Sequence, residues 1–96
     1  MNYIIAHDLG TSGNKATLYD ERGVLVASST TAYGVSTLRP GYVEQNPDDW
    51  WSAVASSTRD LLASSKVPPS AIACVTFSGQ MMGCLAAEGD GTPLRP

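Results

Sequence analysis

The segment HDLGTSGNKATLYD, residues 7–20, decides how the rest of the chain is read. Just upstream, Tyr3-Ile4-Ile5-Ala6 is a short apolar run rich in strand formers that ends at Asp8-Leu9-Gly10, which predicts a buried strand. Lys15 to Tyr19 then alternates and predicts a second strand. A tight hairpin needs only two turn residues. The turn here is longer, and offers two glycines, two hydroxyls, a carboxylate and an ammonium within the eight residues from Asp8 to Lys15. Such a set can hold an oligophosphate with its metal ion. It matches neither the Gly-x4-Gly-Lys-Ser/Thr loop nor the dinucleotide fingerprint, both of which lead from a strand into a helix. Between two strands no helix dipole assists, so anion binding falls to backbone N–H groups and hydroxyls. Gly10 and Gly13 are expected to allow close approach and positive φ. Thr11 and Ser12 can donate to phosphate oxygens, Lys15 can neutralise charge, and Asp8 can hold Mg²⁺ through water. A polar hairpin loop, with glycines serving turn geometry alone, explains the spacing equally well.

Beyond this turn, Asp20 to Gly23 reads as a type I turn or bulged hairpin with Gly last. Val24 to Gly34 predicts a third, longer strand, completing an antiparallel meander. Val35 to Gln45 is irregular and broken at Arg39-Pro40-Gly41. A helix start follows, with Asn46 as N-cap, Pro47 in the first helical position, and Asp48 and Asp49 where the helix dipole favours acids. Trp51, Val54, Ala55, Thr58, Leu61 and Leu62 recur at helical spacing through about Ser65, with Trp51 as the core anchor. Pro68-Pro69 stops the helix. The near-continuous apolar run Ala71 to Gly79 predicts a buried strand parallel to the first, because a helix crosses over before it. A further short strand and a Gly-rich turn are expected in residues 84–96. The order is βββαβ plus that strand, an α/β sheet with no second helix to cover its other face. The chain thus reads as an incomplete piece of a longer one.

Bulk properties narrow the function classes. Ninety-six residues make one small domain or part of a larger one, and an apolar share of 43% suffices for a core. A net charge of −3 and a pI near 4.7 exclude a nonspecific nucleic-acid binder, which needs a basic face. No Lys/Arg run favours an anionic membrane surface. The start MNYIIAHD lacks the features of a signal peptide, and no run is long enough for a membrane span. Cys74 and Cys84 lack metal-ligand spacing and are expected to be reduced, buried thiols, which suits the cytoplasm.

Two further segments could carry chemistry. In GYVEQNPDDWW, residues 41–51, the cap and helix start explain all but Glu44 and Gln45, which read as a solvated loop. In SGQMMG, residues 78–83, Gln80, Met81 and Met82 follow a strand's C-terminal end, where open α/β sheets bind ligands. The methionines equally suit core packing. His7 is given no role.

Taken together, DLGTSGNK, GYVEQNPDDWW, SGQMMG and GTPLRP resemble the opening of the FGGY carbohydrate kinases, and most closely the xylulokinases among them; the resemblance runs from Tyr3 to Pro96. It implies an actin-like, ribonuclease H-like ATPase fold in which two α/β domains close on ATP, residues 1–96 being the N-terminal portion of the first and the second absent. It also implies that Asp8 serves Mg²⁺, that Thr11, Ser12, Gly13 and Lys15 lie at the phosphates of ATP, and that Gln80, Met81 and Met82 lie at the sugar. The sugar would be a ketopentose such as xylulose, or a related polyol. Xylulokinases usually carry Met-His where Met81-Met82 stand here, so a sugar-facing imidazole is missing. The family's catalytic aspartate lies further along than residue 96. The piece alone is therefore expected to be inactive and to self-associate through its open sheet. A noncatalytic ATP-binding module of the actin or chaperone type and a small interaction domain are the rival readings.

Overall fold

The computed structural model describes all residues, Met1–Pro96. Four strands form one mixed sheet: β1 (Tyr3–Leu9), β2 (Gly13–Asp20), β3 (Leu25–Ala32) and β4 (Ile72–Gly79), in the spatial order β3-β2-β1-β4. β1 pairs antiparallel with β2, and β2 antiparallel with β3. A helix, α1 (Pro47–Ser65), crosses over before β4, which pairs parallel with β1. The expected βββαβ order and strand directions are all present.

Local chemistry accounts for the boundaries. The β2–β3 turn closes with Gly23 N–H on Asp20 O at 2.9 Å and Asp20 N–H on Val24 O at 3.0 Å, with Gly23 at φ +79°. That is a type I turn followed by a left-handed bulge residue, for which glycine is best suited. Asp20 Oδ1 accepts from the Val24 and Arg22 N–H groups, and these bonds, Val24's foremost, hold its carboxyl below the usual range. Asn46 caps α1 by accepting from Asp48 N–H at 3.0 Å, with Pro47 in the first turn. Lys66 ends the helix in the left-handed conformation, its N–H on Leu62 O.

The period of two sends Ile5 and His7 of β1, and Asn14, Ala16, Leu18 and Asp20 of β2, to the face beneath α1. Ile5, Ala16, Leu18, Leu61 and Val67 form the core. α1 packs mainly on β2 and β3 and buries Ala53, Val54, Ser57 and Leu61.

Several expectations are corrected here. Trp51 is not a core anchor; it is 69% exposed. The buried stripe runs instead through Ala53 and Ser57, small residues that let the helix approach the sheet. Within residues 1–96 β4 is not buried as expected: it lies at the edge of the four strands, outside the cover of α1, and exposes Val75 and Phe77. Cys74 is exposed for the same reason, and Cys84 is exposed too, where burial was expected; neither forms a disulfide. The expected last strand is reduced to a single bridge, Ala87↔Pro93. No helix is long and apolar enough to cross a membrane.

Candidate functional site

The register aligns four polar side chains across the sheet on the face away from α1. Asp8 lies opposite Lys15 on β2 and opposite Ser78 on β4, and Lys15 lies opposite Thr30 on β3. Ser78 Oγ donates to Asp8 Oδ1 at 3.2 Å, and Asp8 and Lys15 form no ion pair with each other. Oδ2 of Asp8 and the ammonium of Lys15 are thus available at the open end of the β1–β2 turn, where Thr11 and Ser12 are exposed.

Hydrogen bonds and close packing hold this turn. Gly10 N–H donates to Gly13 O at 3.0 Å, and the Tyr33 hydroxyl donates to Gly10 O. Tyr33 N–H reaches Ser12 O at 3.3 Å, tying the turn to the end of β3. Gly13 sits so close to β3 that an added Cβ would lie 2.8 Å from Thr31 O. Close approach is therefore its reason for being glycine; the positive φ expected at Gly10 and Gly13 is absent, because the turn is closed by hydrogen bonds in ordinary backbone conformations. Burial, and then the negative charge of Asp8, raise the Tyr33 phenol above its ordinary value, so it stays a donor.

Behind the polar row lies a buried hydrogen-bonded layer. Asn14 Nδ2 contacts His7 Nδ1 at 3.0 Å and donates to Ser57 Oγ at 2.9 Å, and His7 Nε2 meets Thr58 Oγ1 at 3.1 Å. Ser57 and Thr58 pass their own protons to the carbonyls of Ala53 and Val54. Asn14 Oδ1 alone is buried without a partner. His7 also stacks on Phe77 of β4, with ring centroids 5.2 Å apart. With both nitrogens engaged, His7 keys the sheet to α1.

The second candidate segment adjoins the first. Gln80 N–H donates to Leu9 O at 2.8 Å, which brings the end of β4 beside the turn. A cleft of about 880 Å³ opens there, lined by Leu9, Thr11, Gln45, Trp50, Gln80 and Met82 among others. Met81 and Met82 are 88% and 102% exposed, so they are not core fillers. Met82 has φ 63°, unusual for a residue with a side chain. Glu44 and Gln45 are not a free solvated loop: Arg95 pairs with Glu44 Oε2 at 2.6 Å. Gln45 donates to Thr11 O at 2.6 Å and accepts from Trp50 Nε1 and Gln80 Nε2. The structure thus brings Asp8, Thr11, Ser12, Gly13, Lys15 and Gln80 to one end of the sheet, with Met81 and Met82 at the cleft.

Tyr33 and Asn14 are not singled out by the sequence reading, which takes Gln45 for part of a solvated loop. Asn14 was detectable, since strand alternation puts it on the same face as Ala16 and Leu18. Gln45 carried no such signal beyond its place next to the helix cap.

Solved structures superimpose on nearly the whole chain. A xylulose kinase from Brucella ovis does so with a TM-score of 0.92 at 36% identity, over 99% of this chain and 20% of that one. A xylulose kinase from Lactobacillus acidophilus gives 0.87 at 32%, over 98% and 19%. The fold is therefore the N-terminal part of the actin-like ATPase fold as sugar kinases carry it. Residues 3–96 match the N-terminal domain of the FGGY family of carbohydrate kinases, and the chain belongs to that family. Its relatives include a xylulose kinase of Bacillus subtilis, 35% identical over 99% of this chain and 19% of that protein. A glycerol kinase of Thermococcus gammatolerans is 28% identical over 96% of this chain and 19% of that protein. The chain spans about a fifth of the length of these relatives.

Proposed function

We propose that residues 1–96 act as the N-terminal portion of the first domain of an ATP-dependent sugar kinase, with a ketopentose such as xylulose as acceptor. The observation supporting this best is the adjacency of the turn after β1 to the end of β4, joined by the Gln80–Leu9 and Gln45 bonds. A phosphate donor at the turn and an acceptor at Gln80 would then be neighbours, which phosphoryl transfer requires above all.

In this reading Thr11 and Ser12 donate to phosphate oxygens, the close packing of Gly13 on β3 keeps the turn from spreading, and Lys15 offsets phosphate charge. Asp8 is a reasonable holder of Mg²⁺. It is exposed with one oxygen free, and no group of three or more His, Cys, Asp or Glu makes a protein cage anywhere in the chain. That donor set fits Mg²⁺, which keeps several waters and takes one or two carboxylates with substrate phosphates. The ion, when bound, would neutralise charge on the transferred group. Gln80, Met81 and Met82 border the sugar. The sugar hydroxyl oxygen bonds to the γ-phosphorus, the bond to the bridging oxygen breaks, and ADP leaves. The hydroxyl proton needs a base that none of these residues supplies, since His7 is buried with both nitrogens bonded. The proposed setting is cytoplasmic, without nucleic-acid or membrane partners.

Asp8→Asn in the intact kinase tests this. Turnover should fall by about two orders of magnitude or more with the fold intact, as the metal loses its carboxylate. Wild-type turnover with unaltered Mg²⁺ dependence would remove the turn from the mechanism.

A further inference from the structure

We propose that Gln45 is a positioning residue that fixes the polarity of the Gln80 amide, so that Gln80 presents its carbonyl oxygen to the cleft and receives a hydroxyl hydrogen of the ligand. The argument is one of donors and acceptors. An indole N–H can only donate and a backbone carbonyl can only accept. Trp50 Nε1 lies 3.1 Å from one end of the Gln45 amide, and Thr11 O lies 2.6 Å from the other. The first end must therefore be the oxygen and the second the nitrogen; a flipped amide would set two donors together and two acceptors together. Gln45 Oε1 is then an acceptor for its remaining neighbour, the Gln80 amide, which must turn Nε2 toward it, at 2.7 Å. Gln80 Oε1 is left without a protein partner at the cleft. A single side chain thus joins the turn, the start of α1 and the end of β4, and the polarity set at Trp50 is passed to Gln80. The ligand chemistry selected is a donor, which a sugar hydroxyl supplies.

This inference rests on the reading of Gln80 as a sugar-side residue. The test measures D-xylulose affinity of the intact kinase by calorimetry, with and without MgADP. Gln45→Met keeps the length but neither donates nor accepts, so the Gln80 amide loses its set orientation. D-xylulose binding should weaken about tenfold, the size of one hydrogen bond. Gln45→Glu still accepts from Trp50 and Gln80 but sets a second acceptor against Thr11 O in place of the donor. It should therefore recover only part of that loss, and still bind D-xylulose about threefold more tightly than Gln45→Met. Mere packing would not separate the two variants, and equal losses or no loss would overturn the proposal. Should Gln45→Met fail to fold by circular dichroism, Gln45→Ala reads the same point by removing both ends of the amide without putting a longer side chain in its place. Weakening by about threefold or more supports the proposal and unchanged binding refutes it. Gln80→Ala separates the two layers of the argument. If it leaves D-xylulose affinity unchanged, the sugar-side reading fails. If it weakens binding while Gln45→Met does not, only the orientation by Gln45 fails.

Discussion

Replacing Gly13 by alanine tests the claim that this glycine is required by close approach. The added Cβ would meet Thr31 O at 2.8 Å and Ala32 Cα at 3.1 Å, both of them backbone atoms of β3. The first contact falls roughly 0.6 Å short of ordinary van der Waals approach, and no side chain can rotate to relieve it. The strands must part at the end that carries the β1–β2 turn. There Tyr33 N–H on Ser12 O is already long at 3.3 Å, so that bond gives way first and the hydroxyl bond of Tyr33 to Gly10 O loosens with it. Forcing a methyl into a packed site costs about 1–3 kcal/mol. Because φ here is not left-handed, alanine regains about 0.4–1 kcal/mol by restricting the unfolded chain. The net expectation is a loss of about 1–2 kcal/mol. Urea unfolding of the intact kinase without nucleotide, followed by tryptophan fluorescence, measures it. Gly34→Ala is the control, since nothing lies within 4 Å of its added Cβ; it should be neutral or slightly stabilising. Wild-type stability for Gly13→Ala, or an equal loss in both variants, would refute the steric argument.

Stability should also depend on pH through His7. Burial holds its imidazole below the ordinary value near 6.5, with the Asn14 contact acting the other way. Below about pH 6.5 the unfolded chain gains a proton that the folded one does not, so this stabilisation is complete above that pH and is lost as pH falls toward the lowered folded value. Thermal midpoints from pH 7.5 to 5 should decline in wild type and decline less in His7→Gln; parallel curves would exclude His7 as the cause. The depressed carboxyl of Asp20 acts in a separate window, below about pH 4, and does not confuse the measurement. Asn46→Ala should cost about 1 kcal/mol by removing the acceptor for Asp48 N–H, whereas Asn46→Ser should cost little, both read by urea unfolding.

How far the sequence reveals this structure depends on the range of each interaction. The cap at Asn46, the stop after Ser65, the Asp20–Gly23 turn and the meander are set by neighbours within a few residues, and all were legible. Trp51 was misread because helical spacing gives a stripe without saying which edge of it meets the sheet. The choice was made by Ala53 and Ser57, whose small size allows α1 to sit close to β2. The apolar run of β4 reads as buried because composition measures what a strand can bury; within residues 1–96, α1 packs on β2 and β3 and does not reach it. In the candidate site, the residues in the turn and at the end of β4 were named from their chemistry. Their joining through Gln45 was not, because hydrogen bonds spanning 34 and 35 residues leave no local trace.

The buried polar layer is explained by the same geometry. Alternation along a strand means that each outward site residue has an inward neighbour: His7 stands behind Asp8, and Asn14 beside Lys15. An apolar pair at those positions would stabilise the core more simply. Asn14 Oδ1, buried without a partner, costs about 1–3 kcal/mol. What the polar pair supplies is specificity of register. A slip of one residue turns every side chain of a strand to the opposite face. The buried apolar set Ile5, Ala16 and Leu18 already resists such a slip, and the polar pair adds to that resistance. A slip would carry Asn14 away from Ser57, or His7 away from Thr58, and leave buried hydroxyls and amides without partners on α1. The register that satisfies them is the register that sets Asp8 opposite Lys15 and Ser78. The polar core beneath the sheet therefore reinforces the alignment of the polar row above it, at some loss of stability.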